Sequence, residues 1–217
     1  MKSILVIGMG KFGTYLATKL QELNNDILVI DNNPLIIEEL ASKFPNAQIG
    51  DCTKPEVLET LDIPSFDVCF VAIDENFQSS LEITSLLSEM GAKCVVSKAS
   101  RGTQEKFLKR NGATEVVFPD KDIAERMAVR YSANNIYDCI HLSGDHSIYE
   151  LPINELWVGK TIQIVDVRKI YGINILAIKQ GDNVIPSPLP SYIFKSHDHI
   201  IVLGKQQNVL KLDSKLG

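Results

Sequence analysis

The sequence predicts an α/β chain: a Rossmann-like, doubly wound parallel sheet followed by a second, smaller α+β domain. Three observations carry this. Short apolar runs rich in Val and Ile alternate with amphipathic stretches as far as residue 120. A glycine cluster, Gly8-Met9-Gly10-Lys11-Phe12-Gly13, separates the first apolar run from the first amphipathic one. The texture then changes, and Pro152, Pro186, Pro188 and Pro190 break the rest into short strands and turns. The junction falls in the 134–137 region, giving domains 1–136 and 137–217.

Residues 3–7 read as the first strand, apolar on both faces as a buried parallel strand is. The helix at 12–23 sets Leu16, Leu20 and Leu23 on one side. Residues 27–31 and 47–50 are the second and third strands. Thr53, three residues before Glu56, carries a helix N-cap signature. The fourth strand is 68–73, and the helix at 77–90 has Leu81, Leu86 and Leu87 as its apolar positions. Residues 93–97 and 115–118 complete the parallel set. One more helix, 120–134, repeats Ile123, Met127 and Tyr131 every four positions beside Ala124 and Ala128. Strands follow at 139–142, 147–151, 174–178, 183–185 and 199–203, with Gln180-Gly181-Asp182-Asn183 as a hairpin turn.

Composition narrows the function. The 217 residues are 45% hydrophobic and 23% charged, which suits a buried core. The net charge of −5 argues against a nucleic-acid partner. No apolar run reaches the ~18–20 residues of a membrane span, and the start has too short an apolar stretch for a signal peptide. Cys52, Cys69, Cys94 and Cys139 form no CxxC pair and read as reduced, mostly buried thiols of a cytoplasmic protein.

The glycine cluster is GxGxxG in its proper setting: a strand before it, a helix after it, and Asp31 closing the next strand. The first glycine permits the tight turn, the second admits a pyrophosphate to the backbone, and the third lets helix and strand close up. The helix N-terminus offers N–H groups to phosphate, and Asp31 suits both ribose hydroxyls. A 2′-phosphate would meet its charge, so NAD or an adenosine nucleotide is favoured over NADP. Lys11 stands where the helix dipole disfavours a cation by ~0.3–1 kcal/mol; it is either a phosphate ligand or a solvated lysine. Asp51, in Gly50-Asp51-Cys52-Thr53, either faces an adenine or complements the dipole of a helix that Thr53 caps. Asp74 and Asn76 pose the same choice after the fourth strand.

Catalytic groups are not apparent. His197-Asp198-His199 reads as a solvated turn, and His141 and His146 have no metal-ligand partner in sequence. Tyr15 and Lys19 match YxxxK by chance, on the wrong element to reach a hydride. An NAD-dependent oxidoreductase stands as a distant alternative to a binding protein.

Taken together, Val6–Gly13, Asp31, Gly50–Thr53 and the run Val71-Ala72-Ile73-Asp74-Glu75-Asn76 resemble an RCK (TrkA-N) domain. Gly159-Lys160-Thr161, Val167-Arg168, residues 171–178, Pro186-Ser187-Pro188 and Val202-Leu203-Gly204 resemble a TrkA-C domain. The two-domain length is similar to KtrA-type gating subunits of bacterial Ktr potassium transporters. The resemblance implies a cytoplasmic regulatory subunit at the inner face of the membrane. Such subunits assemble from dimers into rings, often octameric, that dock on a separate KtrB- or TrkH-like channel protein. ATP, ADP or NAD(H) would change the ring's shape and gate the pore; regulation of another cation transporter or antiporter is the alternative.

By the same resemblance the nucleotide site comprises Gly8, Gly10, Lys11, Phe12 and Gly13, with Asp31 and Asn32 at the ribose. Asp51 and Cys52 form the adenine-side turn, and Ala72, Asp74, Asn76 and Lys98 complete the set. Lys11 occupies a position that is often arginine, and lysine lacks the bidentate fork. Glu125 falls where some members bind Mg2+ or another divalent cation, its other reading being a solvated helix flank. A cyclic di-AMP cleft would use Ile162, Gln163, Arg168, Asn174, Ile175 and Pro188. Two copies of Arg168 across a twofold would meet two phosphates, unless Arg168 is a surface salt-bridge residue; Gln163 is more polar than an aliphatic wall wants.

Overall fold

A computed structural model describes residues 1–74, 76–133 and 135–215; Glu75 of the Asp74 motif and Asn134 of the expected last helix lie outside the described residues. The chain divides into two units, 1–121 and 122–217.

The first unit begins β1 (Ser3–Ile7), α1 (Lys11–Glu22), β2 (Asp26–Asp31), α2 (Pro34–Leu40), β3 (Ala47–Ile49) and α3 (Pro55–Glu59). It continues β4 (Val68–Val71), α4 (Phe77–Glu89), β5 (Val95–Lys98), α5 (Gly102–Arg110) and β6 (Glu115–Val117). All strand pairs are parallel, in the order β3-β2-β1-β4-β5-β6. Alternate residues of one strand serve opposite cores, which is why the strands are apolar throughout. Ile4 and Val6 pack with Ala17, Ile37 and Phe44, whereas Leu5 and Ile7 pack with Leu58, Ile83 and Leu87. Strand order reverses between β1 and β4. A crevice therefore opens beyond their carboxyl ends, where open α/β sheets take ligands.

The capping signature at Thr53 is not used. Its hydroxyl and N–H both donate to Asp51 Oδ1, at 2.7 and 3.1 Å. The helix starts later, at Pro55, whose ring presets the first-turn φ.

α6 (Pro119–Ser132) begins within the first unit and runs on into the second. The expected apolar side of this helix is not packed: Ile123, Met127 and Tyr131 are 54%, 51% and 74% exposed. Val129 instead lies against the second core. This anchoring explains why the units part after residue 121, earlier than the texture change suggests.

The second unit holds β7 (Asp138–Ser143), β8 (His146–Pro152), α7 (Ile162–Val165), α8 (Val167–Tyr171), β9 (Asn174–Gln180), β10 (Asn183–Pro186), β11 (His199–Lys205) and α9 (Gln206–Asp213). Its antiparallel sheet runs β10-β9-β11-β8-β7. One face carries Tyr149, Leu151, Ile178, Ile200 and Val202 against Trp157, Phe194, Val209 and Leu212. The β9–β10 hairpin turns at Gly181 (φ +58°), as the Gly-Asp pair requires. The turn at 197–199 is not merely solvated. Asp198 is buried and accepts from Gln180 Nε2 (2.7 Å), Tyr192 Oη (2.8 Å) and the Lys195 N–H (2.9 Å). Burial, then Asp198, pushes the Tyr192 hydroxyl up to about 12.

Candidate functional site

The crevice at the sheet's carboxyl edge has a volume of about 670 Å³. Its floor is the glycine loop. Gly8 takes φ +92° and donates its N–H to Ile30 O at 2.9 Å, turning the chain tightly out of β1. A Cβ on Gly13 would stand 2.0 Å from Gly8 O, so helix and loop approach as only glycine permits. Gly10 caps α1 without a side-chain acceptor. The N–H groups of the first turn thus have no intrahelical partner and carry the helix's partial positive charge.

Asp31 braces this loop. Its Oδ2 accepts the Met9 N–H at 2.6 Å and its Oδ1 the Asn33 N–H at 2.8 Å. The carboxylate is 9% exposed, fixed in place, and lines the crevice with lone pairs remaining for two hydroxyl donors. Asn33 in turn caps α2 by accepting from the Leu35 N–H at 3.0 Å.

Across the crevice, Asp51 holds its own turn, and the Thr53 hydroxyl beside it keeps its carboxyl below the usual range. Cys52 is buried; burial, then Asp51 and Asp31, pushes its thiol up to about 12, so it stays protonated. Asn76 lines the site and caps α4 by accepting from the Ser79 N–H at 3.2 Å.

Of the expected nucleotide residues, Gly8, Gly10, Lys11, Asp31, Asn32, Asp51, Cys52, Ala72, Asp74 and Asn76 line this one crevice. Phe12, Gly13 and Lys98 are not among its lining residues. Asn33, Ile36, Ser79 and Ile83 line it as well. Ser79 and Ile83 are four apart on α4, a spacing that could have flagged them once Asn76 was recognised as its cap. Tyr15 is 78% exposed and Lys19 pairs with Glu22 at 2.8 Å, so YxxxK is a surface coincidence.

The residues expected to form the second site gather around α7, α8 and the start of β9. Gln163, Arg168 and Asn174 are exposed, and Ile162, Ile175 and Pro188 half-buried. Ile164, Ile170 and Leu189 beside them are also exposed. Glu125 is exposed on α6. Among the described residues no three His, Cys, Asp or Glu side chains are placed to hold a metal.

Family models match both halves: the TrkA-N domain over residues 4–119 and the TrkA-C domain over residues 146–217. The chain belongs to the TrkA-N/TrkA-C family. Ktr system potassium uptake protein C of Bacillus subtilis (strain 168) is 36% identical over 215 residues, 99% of this chain and 97% of that protein. Ktr system potassium uptake protein A of the same organism is 31% identical over 214 residues, 99% of this chain and 96% of that protein. The crystal structure of the GsuK RCK domain superposes with a TM-score of 0.71 over 100% of this chain and 48% of its own, at 18% identity, and shares the fold. With the TrkA-N and TrkA-C pair spanning nearly its whole length, the chain is homologous to Ktr potassium uptake proteins.

Proposed function

We propose that this chain is the nucleotide-sensing regulatory subunit of a Ktr-type potassium transporter. The observation that carries the reading is the α1 N-terminus and a braced Asp31 lining one crevice. The first binds phosphate, the second a ribose. ATP, ADP or NAD(H) fits this pairing, whereas a ribose 2′-phosphate meets a fixed negative charge.

The same groups argue for binding rather than turnover. Asp31 is committed to the loop and Asp51 to its turn. Asp74 is paired with Lys98, and the Cys52 thiol is held protonated. None is poised as a nucleophile with its base. A ligand that prefers one arrangement of the assembly would shift the transporter's gate by its differential affinity. The subunit would act as a homo-oligomer on the cytoplasmic face, against a separate membrane protein of the KtrB or TrkH kind. No helix among the described residues is long and apolar enough to cross a membrane.

Cyclic di-AMP is the proposed ligand of the second unit. Arg168, Ile164 and Ile170 are all exposed on α7 and α8, and two copies of such a basic and apolar set would suit a symmetric dinucleotide. Among the described residues no three His, Cys, Asp or Glu side chains gather to hold a metal within one chain, so a divalent cation at Glu125 would need ligands from the bound nucleotide or from another copy.

Calorimetric titration of the full chain with ATP, ADP, NADH and cyclic di-AMP tests this, with Asp31→Ala and Arg168→Ala alongside. ATP, ADP or NADH should bind wild type and be lost in Asp31→Ala, whose melting curve reports its folding. Cyclic di-AMP should bind independently and be lost in Arg168→Ala. Absence of any nucleotide binding overturns the reading of the first unit; absence of cyclic di-AMP binding overturns that of the second.

A further inference from the structure

Lys98 closes β5 with its side chain only 5% exposed. Its ammonium pairs with Asp74 Oδ1, stands 3.9 Å from Asp120 Oδ2 and lies 5.3 Å from the Phe12 ring centroid. One buried cation on β5 thus meets three other segments: the β4–α4 loop, the first turn of α1, and the first turn of α6. Asp74 also faces the phosphate loop, since a Cβ on Gly10 would stand 3.9 Å from its Oδ2.

The charges decide what happens when a phosphate arrives at α1. The anion comes to rest beside Asp74, a like charge, at a site partly shielded from water. The Lys98 ammonium is the cation already at Asp74, and it is drawn toward the pair. Its two carboxylates are not equally held. Asp74 is in direct contact. Asp120 is at the edge of ion-pair range and 85% exposed, so water solvates it readily once released.

We propose that Lys98 is a positioning residue through which a phosphate on the glycine loop competes with Asp120. Nucleotide binding then releases the first turn of α6, the helix whose chain continues into the second unit. This deepens the nucleotide-sensor reading and rests on it. Coupling of this kind is reciprocal: whatever weakens the Lys98–Asp120 contact must tighten the phosphate ligand.

The test is calorimetric titration of the full chain in metal-free buffer with ADP and with adenosine, which has no phosphate. The variants are Asp120→Asn, Lys98→Gln and the double substitution. Asp120→Asn should tighten ADP about fivefold, the low end of ordinary coupling between sites, and leave adenosine unchanged. The gain should vanish in the Lys98→Gln background. An Asp120→Asn affinity equal to wild type, an equal change for ADP and adenosine, or a gain that persists without Lys98 overturns the relay. Persistence without Lys98 would mean simple charge repulsion. Should Lys98→Gln fail to fold, hydrogen exchange at residues 121–125 of the wild type decides instead: ADP speeds it under the relay, and unchanged or slower exchange overturns it. Wild type that binds neither ADP, ATP nor NADH overturns the nucleotide reading and the relay together. Binding with a silent Asp120→Asn overturns the relay alone.

Discussion

Gly13 shows how little room the phosphate loop leaves. A methyl group there meets Gly8 O far inside contact distance, so Gly13→Ala must push α1 away from the loop. It should cost about 1–3 kcal/mol of stability and weaken nucleotide binding with it, read by urea unfolding and by titration. The four cysteines are separable at the same scale. Cys52, Cys69 and Cys139 are buried and Cys94 only partly so. Burial pushes Cys69, like Cys52, up to about 12. Iodoacetamide at pH 8 should therefore label Cys94 first in the native protein and leave Cys52 and Cys69 untouched until it unfolds.

Single elements carry the next level. Glu150 on β8 accepts from Lys179 at 2.9 Å through both oxygens and stands 2.8 Å from His199 Nδ1. Burial pushes its carboxyl up, but the hydrogen bonds from Lys179 and His199 outweigh this and hold it below the usual value of 4.5. A folded-state value below the unfolded one gives stability that is complete above about pH 4.5 and lost as pH falls through the folded value. Glu150→Gln should thus lower the urea midpoint at pH 7, and the gap to wild type should narrow at pH 3. Elements also show which parts of the sequence were legible. The glycine loop and the β9–β10 turn follow from spacing within one short segment, and Asp31 from the fixed interval between that loop and the end of the next strand. The start of α3 did not, since Thr53 had two uses and only the packed chain chose between them. Lys98 was nameable but its task was not: Asp74, Asp120 and Phe12 reach it from three other segments, and nothing in sequence order brings them together. Asp198 looked like a surface turn because Gln180 and Tyr192, which donate to it, stand 18 and 6 residues before it.

For the whole molecule, α6 is the informative stretch. Its four-residue repeat of Ile123, Met127 and Tyr131 is an apolar pattern left 54%, 51% and 74% exposed in the single chain. Replacing Met127 and Tyr131 together by Ser should change the stability of an isolated chain by no more than about 0.5 kcal/mol per site. In the proposed homo-oligomer the same change should lower the sedimentation coefficient. A wild-type chain that sediments as a monomer at all concentrations would remove the basis for that expectation.

The two hydrogen bonds that Asp31 accepts from the backbone bear on how such a protein can change over evolution. The carboxylate that would select the ribose is also a structural member of the loop that would bind the phosphate. Neither task can be altered alone. A substitution that welcomed a 2′-phosphate would leave the Met9 and Asn33 N–H groups without their acceptor and loosen the turn beneath the pyrophosphate. Descendants of this sequence can drift in how tightly they hold a nucleotide, but a change in the kind they accept would require two coordinated replacements, one at Asp31 and one that restores the turn. The proposed ligand preference is thus tied to the architecture of the loop itself.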